Sequence, residues 1–345
     1  MVLEKIEQVP VLLTQLFRLP TIASLLLHFL DSFGQKSPLD AMSDNLSGRR
    51  NEISHDEILV PLYFLDRDEL WDTVKPYSFH YIPKEDIPLH NLLRSTHTTR
   101  IRSMRQLIPQ LSLDSQGFEV HTIETKMSYS DFHDEKTVES VYVRELEDHL
   151  KVTLAAKEVR ALDFQLRLRD AEFPYFGGKP FPKPQPSLMT HVDVTPDAAE
   201  GIVRELYGEA ADEILKSRFR IITIWRPLRV PVRDWPLALC DATTVHQDDF
   251  IATDVIYPNY QAENWMLHFD GAQEWYWLPD QSENEVFVFK AVDSEKRFAL
   301  ACPHGAFPLA EPDNDTPARE SIDVRLLVMD ADIEYPKPKP WSTRE

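Results

Sequence analysis

The feature that most restricts this chain is the two-residue period running through its second half. Phe164, Leu166 and Leu168 alternate with Asp163, Gln165, Arg167 and Arg169. Ile322, Val324, Leu326 and Val328 alternate with Ser321, Asp323 and Arg325. Successive side chains of a strand point to opposite faces, so such segments bury one face and keep the other polar. Further strands are expected at 118–124, 220–226, 264–269, 273–278 and 285–290, with Asp270-Gly271 as a hairpin turn between two of them. Many short strands separated by turn signals build a sandwich, a jelly roll or a barrel.

Helical signals are fewer. Thr195-Pro196-Asp197 opens a helix, with Thr at the cap and Pro at the first helical position. It should end at Gly208, with a shorter helix running on to Ser217. Asp131 to Leu150 reads as another helix, capped by Asp131. Leucines at helical spacing mark 11–33 as a helix pair broken by Pro20, and polar 34–56 as a linker. The expected organisation is therefore N-terminal helices and linker over 1–58, one mainly β domain with helical decorations over 59–335, and a tail over 336–345.

Composition enters by exclusion. A formal charge of −20 repels phosphate backbones and argues against nucleic-acid partners. The nine glycines form neither G-x-G-x-x-G nor a P-loop, so the usual nucleotide cradles are absent. Two lone cysteines, Cys240 and Cys302, give no disulfide framework and point to a reducing, cytoplasmic setting. The start of the chain lacks a basic n-region, and its most apolar stretch, Ile22 to Leu30, is far short of a membrane span.

Chemistry concentrates in a few places. In His191-Val192-Asp193 the imidazole and the carboxylate leave a strand on one side and can converge on a metal. One further His would complete a facial triad, which leaves coordination positions open, as in non-haem Fe(II) oxygenases. The triplet alone decides nothing, because His246-Gln247-Asp248 and His268-Phe269-Asp270 repeat it. Downstream, His304 precedes Arg319-Glu320-Ser321. Arg319 and Ser321 can face one way, offering a guanidinium fork and a hydroxyl to a carboxylate such as that of 2-oxoglutarate. The polar side of that strand faces either solvent or a polar cavity. Arg167, Arg226 and Arg325 on predicted strands, and Tyr77, Phe79 and Tyr81, are candidate contacts for a small, anionic or zwitterionic substrate. Structural ion pairs and core packing are the competing explanations.

Longer stretches resemble a known family. They are Ile224-Trp225-Arg226-Pro227-Leu228, Asp234-Trp235-Pro236-Leu237-Ala238-Leu239-Cys240-Asp241, Glu274-Trp275-Tyr276-Trp277, Glu285 to Lys290, and Pro303-His304-Gly305-Ala306-Phe307 leading to Arg319-Glu320-Ser321. Over roughly 150–330 the chain resembles the fungal hydroxylase/desaturase family typified by AsaB, related to the CmcJ-like proteins. The resemblance implies a double-stranded β-helix (jelly-roll, cupin-like) core and an Fe(II)/2-oxoglutarate-dependent dioxygenase of secondary metabolism using O₂. It implies iron ligands at His191, Asp193 and His304, a 2-oxoglutarate anchor at Arg319 and Ser321, and no ligand at His246 or His268. Hydroxylation, desaturation or oxidative ring formation would all fit. A His/Asp/His metal-dependent hydrolase and a non-catalytic jelly-roll binding protein are the alternatives. A homodimer through the N-terminal helices is a further expectation.

Overall fold

The computed structural model describes residues 57–84, 86–175, 181–309 and 316–333. The predicted helices at 11–33, the linker at 34–56 and the tail at 336–345 lie outside those residues. In chain order the strands are β1 (Glu57–Leu65), β2 (Tyr77–Phe79), β3 (Arg94–Ser103), β4 (Phe118–Thr122), β5 (Glu158–Leu168), β6 (His191–Val192) and β7 (Phe219–Pro227). There follow β8 (Leu237–Cys240), β9 (Phe250–Ile256), β10 (Gln261–Leu267), β11 (Trp275–Trp277), β12 (Glu285–Asp293), β13 (His304–Ala306) and β14 (Glu320–Met329).

They form two sheets. One has nine strands in the order β1-β3-β11-β8-β13-β6-β10-β9-β2, and the other has five in the order β4-β12-β7-β14-β5. The alternation noted in the sequence is what separates their faces. Ile322, Val324, Leu326 and Val328 of β14 join Ile222, Ile224, Val286 and Val288 in one cluster with Leu146 and Leu150. Those two leucines belong to helix α1 (Val143–Thr153), which covers the outer face of the five-stranded sheet. The opposite face looks towards the nine-stranded sheet. There Trp225, Phe287 and Phe289 meet Leu237, Leu239 and Tyr276 in an apolar cluster. Ile221 and Leu327 on the same face belong to a further apolar cluster with Val192 and Trp265, while Thr223 and Arg325, opposite one another, are among the polar side chains of the site described below.

Helix α2 (Pro196–Tyr207) starts as expected, with Thr195 Oγ1 accepting from the Ala198 N–H at 3.2 Å. It stops at Gly208, which takes the left-handed φ of 54° that glycine tolerates. Helix α3 (Ala211–Lys216) follows.

Two expectations need correction. The helix expected from Asp131 begins instead after Asp134, whose carboxylate accepts from the Thr137 N–H at 3.1 Å. Asp131 serves a preceding turn, where Ser128 N–H and Oγ both donate to it at 2.7 Å. The helix then passes through a π-helical stretch, Val138–Tyr142, before α1. Asp270-Gly271 also fails to make a hairpin. Asp270 does form a turn, accepting from the Ala272 N–H at 2.7 Å, but β10 pairs with β6 and β9 while β11 pairs with β3 and β8. Turn chemistry is local, whereas strand pairing was decided by the jelly-roll winding.

Candidate metal centre

The centre is assembled by register. β13 pairs antiparallel with β6 so that His304 lies directly opposite His191. Directly opposite residues share a face, so both imidazoles enter the space between the sheets. Their ring centroids are 4.4 Å apart. Gly305 permits the approach: a Cβ there would meet Thr190 Cγ2 at 3.3 Å. Asp193, two residues beyond His191, presents its carboxylate to the same point. Its Oδ1 lies 3.5 Å from Nε2 of His191 and 3.5 Å from Nε2 of His304. One potential ligand atom from each of the three lies within 4.8 Å of the others.

The outer atoms of this set are already tied. His191 Nδ1 donates to the Met189 carbonyl at 2.8 Å, and His304 Nδ1 to the Cys302 carbonyl at 3.2 Å. Both Nε2 atoms are thereby left as acceptors, the form a metal requires. Thr223 Oγ1 donates to Asp193 Oδ2 at 2.6 Å from the opposite sheet. Burial, and after it the neighbouring His304, pushes His191 below its ordinary value. Burial opposes the charge on Asp193, but His304 and then His191 outweigh it and hold the carboxyl well below the usual range. Two imidazoles beside an ionised carboxylate are a donor set suited to a divalent metal with open positions.

Arg319 and Ser321 are both buried, at 4% and 0% exposure. The Asp234-Trp235 pair builds the pocket around Arg319. Asp234 accepts from the Arg319 backbone N–H at 2.7 Å, and the Trp235 carbonyl accepts from Nη1 at 2.6 Å. Trp235 achieves this with a left-handed φ of 45°, a strained conformation for an aromatic residue. Trp225 lies beneath the guanidinium, 5.1 Å from its centre, and Ser321 Oγ accepts weakly at 3.3–3.4 Å. Among the described residues no carboxylate forms an ion pair with Arg319. Burial, and after it the charge of Arg167, pushes it down to about 9. A buried cation in that condition is completed by an incoming carboxylate.

The polar side of β14 therefore faces the space between the sheets, where Arg325 lies opposite Thr223, rather than bulk solvent. Arg167 and Arg325 look into it, and each carries an aspartate: Arg167 Nε donates to Asp323 at 2.7 Å and Arg325 Nε to Asp163 at 2.8 Å. Arg226 does not belong with them. It sits on the helix side of β7 and donates to the Tyr142 hydroxyl at 2.9 Å and to the carbonyls of Ile123 and Glu283. Its place as a substrate contact is corrected to a tie between the sheet and the helical turn.

The aromatic candidates are displaced too. β2 pairs with β9 so that Ser78, not Tyr77 or Phe79, shares the face of His191. Tyr77, Phe79 and Tyr81 instead form an edge-to-face row on the other side of the sheet, with centroids 5.6 and 5.4 Å apart. His80, which packs 4.9 Å from the Tyr257 ring, takes their place towards the cavity, where burial and then Arg167 push it below its ordinary value. A one-residue error in strand parity exchanges the two faces.

The competing triplets go elsewhere. His246 precedes a short turn and its N–H donates to Asp249 Oδ2 at 3.2 Å. His268 Nδ1 donates to the Leu65 carbonyl at 2.8 Å. Neither joins the cluster. Sequence reasoning missed Thr223 and Trp235. The only trace of Thr223 was a hydroxyl residue within the apolar run Ile221-Ile222-Thr223-Ile224.

Comparison with known proteins supplies the family. A family model described as an oxidoreductase/YMDC permease-like domain matches residues 62–329. The Fe(II)/2-oxoglutarate-dependent dioxygenase nvfI of Aspergillus novofumigatus is 32% identical over 265 residues, covering 74% of this chain and 91% of that protein. The chain belongs to the Fe(II)/2-oxoglutarate-dependent oxygenases of the fungal hydroxylase/desaturase family. The hydroxylase/desaturase efuI of Hormonema carpetanum is 31% identical, covering 70% of this chain and 86% of that one. The solved structure of the iron and α-ketoglutarate-dependent endoperoxidase NvfI superimposes with a TM-score of 0.69 at 29% identity, over 81% of this oxygenase and all of that chain. The fold is accordingly the expected double-stranded β-helix, and Fe(II), 2-oxoglutarate and O₂ are the reactants of the family. Among the described residues no helix is long and apolar enough to cross a membrane.

Proposed function

We propose that this oxygenase oxidises an unactivated C–H bond of a small molecule of secondary metabolism, with His191, Asp193 and His304 holding iron. The observation that carries the reading is a juxtaposition. A tied His/Asp/His set and a buried arginine with no carboxylate partner among the described residues open on the same space between two sheets.

Bound together, iron, 2-oxoglutarate and O₂ supply the oxidising equivalent, with 2-oxoglutarate leaving as succinate and CO₂. This chain's residues bind, orient and exclude. Arg319 and Ser321 receive the far carboxylate of 2-oxoglutarate, and Trp225 keeps the guanidinium flat beneath it. Thr223 fixes the plane of the Asp193 carboxylate. The wall of Phe287, Phe289, Leu237 and Leu239 keeps bulk water from that end of the site.

Arg167 and Arg325 support a substrate that carries a carboxylate, such as an amino-acid derivative, because both guanidinium groups face the cavity and retain donors beyond their aspartates. Hydroxylation, desaturation or ring formation then depends on which C–H bond the cavity presents. A reducing, cytoplasmic setting, pairing of two copies through residues 11–33, and a helical N-terminal unit separate from the oxygenase domain complete this reading. Sedimentation of the full chain against a chain starting at residue 53 tests the pairing.

The decisive experiment measures succinate formed from 2-oxoglutarate under air with Fe(II), with and without a panel of amino acids. Turnover is expected, with stimulation by some members. No succinate, together with no iron bound anaerobically, would instead favour a hydrolase or a non-catalytic protein.

A further inference from the structure

Among the described residues, one buried polar side-chain atom on the strand that pairs with His191 has no partner. Asn264 lies on β10, which pairs with β6 through Met266 opposite His191 and Trp265 opposite Val192. Asn264 lies two residues before Met266 on that strand, so the pleat turns its side chain to the face that carries His191. Asn264 is only 8% exposed, yet among the described residues its Oδ1 meets no hydrogen-bond donor. The hydroxyls and imidazole N–H groups of the centre and of the facing strand are given elsewhere. Thr223 Oγ1 is given to Asp193 at 2.6 Å, and Thr253 Oγ1, directly opposite Asn264 on β9, to the Ile251 carbonyl at 3.3 Å. The Nδ1 atoms of His191 and His304 go to backbone carbonyls. A buried amide oxygen left without a donor is unfavourable, and few persist without a reason. Leucine has nearly the same shape and would avoid the cost.

We propose that Asn264 is a positioning residue of the metal centre, whose side-chain oxygen accepts a hydrogen bond from water on the metal. The metal's charge acidifies such water and makes it a strong donor. A facial triad leaves positions for it, and Asn264 stands on the face that carries His191. An acceptor of this kind orients what the metal carries and tightens the metal itself, as partners beyond the ligands generally do. The inference rests on the metal-centre reading and adds a residue that touches neither Arg319 nor the triad's own hydrogen bonds.

The test is Mn(II) titration of the full chain, followed by the electron paramagnetic resonance of free Mn(II), alongside thermal unfolding of the metal-free protein. Asn264→Leu should weaken Mn(II) about 10-fold or more. It should leave the metal-free midpoint unchanged or raise it, because an unsatisfied polar atom is removed. Asn264→Asp keeps an acceptor in the same shape and should retain wild-type affinity or exceed it. Wild-type affinity in Asn264→Leu would overturn the proposal while leaving the metal centre intact. So would equal losses in both variants, or a fall in the metal-free midpoint of Asn264→Leu with affinity preserved. A wild-type chain that binds no Mn(II) would remove the metal centre and this proposal together.

Discussion

Thr223 reaches across from the five-stranded sheet to hold Asp193 of the nine-stranded sheet, at 2.6 Å from Oγ1 to Oδ2. The contact leaves Oδ1 as the carboxylate atom nearest to both histidines. It also means that the metal centre depends on the spacing of the two sheets. Thr223→Val keeps the shape and removes the donor. Metal affinity should fall about 10-fold, as for partners of ligands elsewhere. Isothermal titration with Mn(II) would measure it, and an unchanged affinity would mean that the hydroxyl does not orient the ligand.

His304→Ala should abolish metal binding, whereas His246→Ala should leave it unchanged. His304 faces His191 across a strand pair, while His246 sits at a turn away from the cluster. Equilibrium dialysis with Fe(II) under argon separates the two. Binding that survives in His304→Ala but not in His246→Ala would mean that a different triplet carries the metal.

Arg319→Ala should raise the 2-oxoglutarate requirement by well over 10-fold, since removing one partner of a buried charge pair costs about 2–5 kcal/mol. Ser321→Ala should cost less, because its contacts with Arg319 are long, at 3.3–3.4 Å. The buried guanidinium is pushed down to about 9. The cation is therefore complete below that value and lost as pH rises through it. The KM for 2-oxoglutarate should be flat near neutrality and climb above about pH 9. A flat profile to pH 10 would show that the cation persists.

Arg226→Ala should destabilise the protein by about 2–4 kcal/mol without changing the KM for 2-oxoglutarate. The substitution strands the Tyr142 hydroxyl and two carbonyls, all on the helix side of β7. Urea denaturation with parallel kinetics would check both halves. A raised KM at normal stability would return Arg226 to the substrate side.

The metal-free protein should lose stability in acid in two stages. His191 is held below its ordinary value of 6.5, so below that pH the unfolded chain binds a proton that the folded one does not. Stability is thus lost as pH falls from about 6.5 towards the lowered folded value. Asp193, held well below 3.8, contributes stability above that value that disappears as pH falls beneath it. Thermal midpoints measured from pH 8 to 3 would record both, and His191→Phe should remove the first. Stability that rises between pH 6.5 and 5 would contradict the sign.

Much of the fold was legible because its signals are local. The alternation in 321–328 separates the faces of β14, and that separation survives as an apolar cluster under α1 and a row of polar side chains on the other side. Thr195-Pro196 and Gly208 mark the ends of α2 by chemistry that acts within a few residues. The spacing of His191 and Asp193 puts both on one side of one strand.

What the sequence could not determine depended on which strands became neighbours. That His304 faces His191, that Asp270-Gly271 joins strands that do not pair, and that Ser78 rather than Phe79 faces the cavity are all matters of register. Arg226 and Thr223 lie three residues apart on β7, yet one supports the helical turn and the other the metal centre. By itself the sequence determined the secondary-structure periods, the candidate ligands and the arginine–serine pair. Tertiary structure alone decided which acceptors, donors and faces meet, because strand order is set by the burial of whole faces rather than by any one residue's neighbours.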